Sequence, residues 1–307
     1  MATLTKTKIG VIVDNMNMSD HHVALDAGYY RDEGLDVELV VHLGTLAELD
    51  TGAMLVSSSM PQILEAIIMR QAPYKFVLVT RQEPPHYLLG KPGIKSAADL
   101  KGKEIWASGE GAFNHYMAVD WLKSHGLEPG RDVTLSSPSS SQESFFNGKY
   151  QPWAGHLASL TADALMAVPP ESEWLMQEAG YNQLVELCEA YPHRMIHALT
   201  AHEDTLKRHP ELVRAAVRAH VRASKTIQGD RETTVQVWMN RWGVNRKVGE
   251  RIWEFMNWRF IAETDPKWLV DTLAYASQHL QRRYPDKNIQ APSAASLIDP
   301  SFAPAMA

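Results

Sequence analysis

The sequence predicts an α/β protein built from two lobes, and three observations lead to that prediction. Its 307 residues exceed the roughly 100 to 200 residues that usually surround a single core. Strand-like and helix-like segments alternate from residue 9 onwards, which favours parallel sheets covered by helices. The alternation restarts after Pro92-Gly93, where we place the beginning of the second lobe.

The first forty residues have the pattern of a βαβ unit. Residues 9–13 form an apolar, mostly β-branched run, typical of a strand that is buried on both faces. We predict a helix over residues 21–33 that ends at Gly34. Alternating apolar and polar residues predict a second strand over residues 35–41.

The same rhythm continues along the chain. In the first lobe we expect a strand at 53–57, a helix at 61–70 and a strand at 75–80. In the second lobe we expect strands at 104–107, 132–135 and 164–168, and helices at 112–125, from about 141, and at 171–180. From residue 195 the pattern predicts a strand and then helices at 209–228, 233–241, 247–255 and 266–283.

Composition excludes several classes of protein. The net charge of −6 and the scattered Lys and Arg residues argue against nucleic acid as a partner. No apolar run approaches the length of a membrane span, which is about 18 residues.

The single cysteine, Cys188, excludes an intramolecular disulfide and a Cys-rich metal site, and we expect it to be buried on a strand of the second lobe. Residues 1–13 lack the features of a secretion signal, so we expect a periplasmic location if a leader has been removed and a cytoplasmic one otherwise.

Five short segments, in this order, resemble the sulfonate, nitrate and thiamine-precursor solute-binding family of ABC transporters. The likeness as a whole spans about residues 9–225, and the order of the segments makes the set more specific than any one of them. The segments are Gly28-Tyr29-Tyr30 with Gly34-Leu35-Asp36, Asp99-Leu100-Lys101-Gly102-Lys103, Gly126-Leu127-Glu128-Pro129 with Asp132-Val133, Ala162-Asp163-Ala164, and Arg208-His209-Pro210-Glu211.

This resemblance implies the two-lobed fold of type II periplasmic binding proteins, with mostly parallel sheets and a ligand cleft between the lobes. Lobe 1 would be discontinuous, comprising residues 1–90 and 195–307, and lobe 2 would comprise residues 91–194. The lobes would close on the ligand about two crossings, near residues 80–90 and 191–195. The implied function is solute binding for an ABC-type uptake system, with a sulfonate-, nitrate- or pyrimidine-like ligand, an ABC permease as partner, and no cofactor or metal.

The same scaffold also carries enzymes and sensors. The alternative function is therefore a lyase-type enzyme, such as a decarboxylase or desulfinase, acting on a small aromatic or carboxylated substrate. The pyrimidine-synthase branch is not favoured, because Ser57-Ser58-Ser59-Met60 stands where that branch has its Lys and His. The desulfinase branch has a cysteine after the first strand, where this sequence has Asp14-Asn15-Met16.

Candidate ligand contacts lie in the loops that follow the predicted strands, because open α/β sheets bind ligands at the carboxyl ends of their strands. In lobe 1 these candidates are Asp14, Asn15, Asn17, His21, His22, Ser57 and Ser58. In lobe 2 they are Ser108, Glu110, Asn114, His115 and Glu171, with His193 in the return crossing.

The first crossing contributes three further candidates. Arg81 is suited to hold a carboxylate or sulfonate bidentately, although a surface pair with Glu83 explains it equally well. His86 lies beside it, and Tyr87 is suited to stack on a flat ligand. Arg81 and the helix N-termini favour an anionic ligand, whereas Asp14, Asp20, Glu110 and Glu171 favour an amine.

Histidines are frequent in these segments, and closure of the lobes would bring several together as metal ligands or as a general base. Spacing argues against a metal. His21 and His22 are adjacent on a helix and point about 100° apart. His193 and His197 on an extended segment lie about 13 Å apart. We therefore expect no metal site.

Overall fold

A computed structural model of the protein describes residues 3–11, 16–41, 54–107, 109, 112–137, 161–192, 194–263 and 267–303. It contains two β-sheets with helices on both faces of each, which confirms the predicted two-lobed α/β class. In the part of the chain that it describes, no helix is both long and apolar enough to cross a membrane.

The first sheet combines strands from both ends of the chain. Its strands are β1 Thr5–Val11, β2 Leu35–Val41, β3 Leu55–Ser59, β4 Tyr74–Gln82, β10 Met195–His202 and β11 Phe260–Glu263, in the spatial order β11-β4-β10-β3-β1-β2. Strand β1 runs parallel to β2 and β3, but β10 runs antiparallel to both β3 and β4. The sheet is therefore mixed rather than mostly parallel, because the returning strand β10 lies between two strands of opposite direction.

The second sheet is formed by the middle of the chain. Its strands are β5 Tyr87–Gly90, β6 Glu104–Trp106, β7 Thr134–Ser136, β8 Ala164–Ala167 and β9 Asn182–Glu186, in the order β7-β6-β8-β5-β9. Strand β6 is parallel to β7 and β8, whereas β5 is antiparallel to β8 and β9. Strand β5 belongs to this sheet, so Tyr87 lies on a strand and not in the loop that its sequence context predicts.

The described helices longer than ten residues lie within two residues of their predicted bounds, whereas short helices at 187–190, 203–208 and 294–297 were not predicted. The described helices are α1 Ser19–Asp26, α2 Tyr29–Asp32, α3 Met60–Arg70, α4 Phe113–Ser124, α5 Glu171–Gln177, α6 Leu187–Ala190, α7 Glu203–Arg208, α8 Pro210–Gly229, α9 Arg231–Trp242, α10 Arg246–Met256, α11 Lys267–Arg283 and α12 Ala294–Leu297. The helix predicted to begin near residue 141 lies outside the described residues.

The prediction of one helix over residues 21–33 is wrong. Gly28 has a φ of +79° and separates α1 from α2, because only glycine adopts this left-handed conformation without strain. Gly34, with a φ of +80°, ends α2 as predicted.

Successive residues along a strand point to opposite faces of the sheet and therefore pack into two different cores, as the two-residue period of a strand requires. Leu55 packs toward α1, α8 and α9, whereas Val56 packs toward α3 and α11. In the second sheet, Leu88 packs toward α4 and Leu89 toward α5. Each sheet is therefore the middle layer of three.

Among the described residues, the chain passes from one sheet to the other at residues 83–86 and returns between Glu186 and Met195. The two crossings lie side by side, because the main-chain N–H of Glu83 donates to the carbonyl of Arg194 at 2.6 Å and that of Leu187 donates to the carbonyl of His86 at 2.9 Å. A pair of adjacent crossings is the arrangement about which two lobes can rotate.

Candidate functional site

Strands of the first sheet bring several predicted residues to one edge. Val11 is in register with Ser57, and His197 lies opposite both Ser59 and Arg81. The carboxyl ends of β1, β3 and β4 and the start of β10 therefore meet where the chain crosses to the second sheet. This crossing edge is where open α/β sheets hold ligands.

Arg81 is the second-last residue of strand β4, at this edge, and is completely buried. Its guanidinium donates to the main-chain oxygen and to Oδ1 of Asn17, and it lies 5.1 Å from the ring centre of Phe260. Burial lowers the pKa of Arg81 to about 9, so the side chain remains a cation at neutral pH. The alternative of a surface pair with Glu83 is wrong, because the side chain of Arg81 does not reach the surface.

Asp20 and two histidines form a buried cluster beneath Arg81. Oδ2 of Asp20 lies 3.2 Å from Nδ1 of His220 and 3.9 Å from Nε2 of His21. Burial opposes ionisation of Asp20, but contacts with both histidines and the charge of Arg81 outweigh it and hold the pKa of Asp20 well below its usual range. Burial also lowers the pKa of His21 to about 3, so its ring is neutral.

His22 points away from this cluster, as adjacent positions on a helix require. Its ring makes an edge contact with Trp242, with ring centres 5.0 Å apart. The predicted divergence of His21 and His22 is therefore present, but the partners of His21 are Asp20 and His220 rather than another predicted site residue.

A second buried cation, Arg259, links the two sheets. It lies in the 3-10 turn Asn257–Arg259 and donates to Oε1 of Glu186 at 2.7 Å and to Sγ of Cys188 at 2.9 Å. Its guanidinium also packs 3.8 Å from the ring centre of Phe255. Because Glu186 ends β9 of the second sheet, this pair joins the lobes beside the crossings.

Cys188 is buried as predicted, but it lies on helix α6 and not on a strand. Burial and the hydrogen bond with Glu186 raise its pKa to about 12. The thiol is therefore protonated at neutral pH, and a protonated thiol is a poor nucleophile.

His86 lies in the first crossing between the two buried cations. Its Nδ1 is buried and has no hydrogen-bond partner among the described residues. Burial, together with the charges of Arg81 and Arg259, lowers the pKa of His86 to about 3. The next residue, Tyr87, stacks on Phe255 with ring centres 5.0 Å apart.

Buried hydroxyl groups add further hydrogen-bonding capacity at the ends of the strands. Within the described part of the chain, neither Oγ of Ser57 nor Oγ1 of Thr80 has a partner. Ser58 pairs with Ala198 through its main chain, and its side chain is not described.

On the second sheet, Glu171 begins α5 directly after β8 and is 2% exposed. Its Oε2 and the neighbouring Oγ of Ser172 lack partners among the residues the structure describes. Burial raises the pKa of Glu171 well above its usual value, which favours the neutral carboxylic acid.

The remaining predicted contacts are not brought into this group. Asn114 and His115 lie half-buried on α4, where the ring of His115 contacts that of Tyr116. Asp14, Asn15, Ser108, Glu110 and His193 lie outside the described residues, so their roles stay predictions.

A cavity of about 730 Å³ lies at the opposite edge of the first sheet, between residues 67–75, Glu203 and residues 287–292. Its lysine at position 75 is already paired, because Nζ of Lys75 donates to the carbonyl of Ser296 at 2.6 Å and lies 3.5 Å from Glu203. At the crossing edge, by contrast, buried polar atoms have no hydrogen-bond partner among the described residues. We therefore place the candidate site there.

Sequence reasoning missed His220, Arg259 and Glu186. His220 lies on the apolar face of α8 with Val213, Ala216 and Val217, and a histidine on such a face is a detectable signal. No comparable signal identifies the pair of Arg259 and Glu186, whose members are 73 residues apart.

Solved structures with the same fold include two sulfonate receptors. The alkanesulfonate-binding protein SsuA from Xanthomonas axonopodis pv. citri, bound to MOPS, is 16% identical with a TM-score of 0.74, covering 97% of this chain and 99% of that one. The periplasmic aliphatic sulphonate-binding protein SsuA from Escherichia coli is 15% identical with a TM-score of 0.73, covering 97% and 98%. The desulfurization enzyme DSZB is 17% identical with a TM-score of 0.69, covering 97% of each chain. At these identities the likeness shows the fold alone.

No curated protein matches the chain in sequence. A family model described as NMT1/THI5 like matches residues 15–233, well over half of the chain. This range includes all five segments on which the sequence resemblance depends, so the match confirms that resemblance. The chain therefore belongs to the NMT1/THI5-like family.

Proposed function

We propose that the protein is a solute receptor of an ABC-type uptake system that binds a small anion, such as a sulfonate, between its two lobes. The observation that carries this proposal is the group of buried nitrogen atoms at the crossings. Nε of Arg81, Nε of Arg259 and Nδ1 of His86 are buried and have no hydrogen-bond partner among the described residues.

Physical chemistry favours an anion as the missing partner. A buried polar group without a partner costs about 1 to 3 kcal/mol, so a ligand that supplies acceptors recovers that free energy on binding. Guanidinium groups match the geometry of sulfonate and carboxylate oxygens. Burial and then the charges of Arg81 and Arg259 lower the pKa of His86, so two cations already act on this region before any ligand arrives.

Closure of the lobes is part of the proposal. Sheet membership supports a lobe 1 of residues 1–90 and 195–307 and a lobe 2 of residues 91–194, with one change. Strand β5 pairs within the second sheet, so the first crossing lies at residues 83–86. Ligand contacts at Ser57, Tyr87 and Glu171 fit this arrangement, because they lie on both sides of the crossings. An ABC permease would be the partner, and delivery to it would require a periplasmic location.

The enzyme alternative has less support. DSZB shares the fold, but the cysteine of this chain is protonated and hydrogen-bonded in the contact between the lobes. Turnover of a sulfinate or carboxylate ligand, monitored by mass spectrometry, would favour the enzyme over the receptor.

Isothermal titration calorimetry with two ligands that share an ethyl group and carry opposite charges tests the proposal. We expect ethanesulfonate to bind and ethylammonium to give no heat. Replacing His86 by Phe should weaken sulfonate binding, whereas Arg246→Ala, at an exposed ion pair with Glu232, should leave it unchanged. Binding of ethylammonium alone, or equal affinity of the His86 variant for the sulfonate, would contradict the proposal.

A further inference from the structure

Three side chains that are common metal ligands converge between α1 and α8. Asp20, His21 and His220 are all buried, and they place one ligand atom each within 4.8 Å of one another. The separations from Oδ2 of Asp20 are 3.2 Å to His220 and 3.9 Å to His21. Two ligands bound to one tetrahedral ion at 2.0 to 2.1 Å lie about 3.4 Å apart, so these positions fit one ion with small side-chain adjustments.

His21 supplies an independent reason to expect a ligand here. Its ring is completely buried, and neither Nδ1 nor Nε2 has a hydrogen-bond partner in the described part of the chain. A buried imidazole without a partner is unfavourable, and native proteins rarely retain one without a cause. Coordination of an ion through Nε2 would satisfy a ring nitrogen that makes no hydrogen bond with the described residues.

Tyr30 contacts the cluster through His220 and lies outside the three proposed ligands. Its hydroxyl lies 2.8 Å from Nε2 of His220, on the side of the ring away from Asp20. When Nε2–H donates to this hydroxyl, Nδ1 directs its lone pair toward Asp20, and a cation between the two atoms removes their repulsion. Metal-binding histidines commonly donate their second ring N–H to such an outer partner.

We propose that Asp20, His21 and His220 bind one divalent transition-metal ion of the zinc class, which joins α1 to α8. Two imidazoles and one carboxylate are a donor set that suits zinc, cobalt or ferrous iron. The positive charge of Arg81 also acts on Asp20, and it opposes the binding of an ion there. We therefore expect weaker binding than at a cysteine-rich zinc site. This proposal differs from the sequence-based expectation of no metal, and it does not depend on the receptor proposal.

Titration of the full chain with Co²⁺ tests the site directly. Protein prepared without an affinity tag and treated with a chelator should develop visible d–d absorption that saturates at one ion per chain. Zn²⁺ should displace the Co²⁺ and raise the melting temperature. Absence of saturable Co²⁺ absorption together with an unchanged melting temperature in Zn²⁺ would overturn the proposal.

Three variants assign the site to these residues. His21→Phe keeps a planar ring where the imidazole makes no hydrogen bond, so the metal-free variant should melt at or above the wild-type temperature while losing the Co²⁺ spectrum. Tyr30→Phe should weaken Co²⁺ binding about 10- to 100-fold. His202→Phe alters a partly exposed histidine that caps the helix Glu203–Arg208, outside the proposed site, and should leave the Co²⁺ titration unchanged. An unaltered Co²⁺ titration in the folded His21 variant would refute the assignment, whatever the outcome of the sulfonate experiment.

Discussion

Replacing Arg259 by Met removes the ion pair that joins the two sheets beside the crossings. The guanidinium is completely buried and lies 2.7 Å from Oε1 of Glu186, whose side chain is 18% exposed. Leaving one member of a buried pair without its partner costs about 3 to 5 kcal/mol. Because Glu186 keeps some contact with solvent, we expect a loss near the lower end, about 3 kcal/mol of the free energy of unfolding.

A matched control separates burial from hydrogen-bond geometry. Arg246 is also 2.7 Å from a carboxylate, that of Glu232, but the two side chains are 44% and 70% exposed. Arg246→Met should therefore cost less than about 1 kcal/mol. The double variant Arg259→Met with Glu186→Gln should recover part of the single loss, because no unpaired charge is left.

Urea unfolding, followed by tryptophan fluorescence and by circular dichroism, measures these differences. The reasoning predicts a loss for Arg259→Met at least twice that for Arg246→Met. Equal losses for the two variants would refute it, because burial of the Arg259 pair would then contribute nothing.

Three further changes test other parts of the structure. The raised pKa of Glu171 stabilises the wild type fully at low pH, and this stabilisation is lost as the pH rises above about 4.5. Glu171→Gln should therefore become more stable relative to the wild type as the pH rises. The same pH dependence of the melting temperature in both proteins would contradict this. A pKa of His86 lowered from 6.5 to about 3 stabilises the wild type fully above pH 6.5, and this stabilisation is lost in acid. His86→Phe should therefore lose less stability than the wild type between pH 6.5 and pH 4. Equal losses of the free energy of unfolding in urea would contradict the lowered pKa of His86. Gly28→Ala should cost about 1 to 2 kcal/mol, because Gly28 is left-handed with a φ of +79°, and an unchanged midpoint in urea would show that α1 and α2 can join into one helix.

Local signals made much of the fold predictable. Strand β2 has the predicted bounds, because alternating residues follow the glycine that ends α2. Helix α8 begins at Pro210, whose fixed φ suits a first helical turn, and extends to Gly229. Strand β5 was not predicted, because it is only four residues long, follows Pro84-Pro85 and ends at Gly90, a composition that favours a loop. The direction of β10 depends on which strands flank it, and no local pattern carries that information.

The candidate site was predictable only in part. Arg81 and His86 follow the strand predicted over residues 75–80, so the rule for strand ends found them. The partners that define their chemistry are distant in sequence. His220 is 200 residues from Asp20, and Arg259 is 71 residues from Cys188. Such contacts are set by helix and sheet packing, which residue type and spacing alone do not specify.

Mass spectrometry of the small molecule retained by the protein under native conditions tests the central claim most directly. The account predicts a mass increase that corresponds to one small acid, released on denaturation and identified as a sulfonate or carboxylate. It also predicts that the Arg246→Met variant retains the same small acid and that the Arg259→Met variant does not. An amine or other cation as the retained molecule, or the same acid retained equally by both variants, would contradict it.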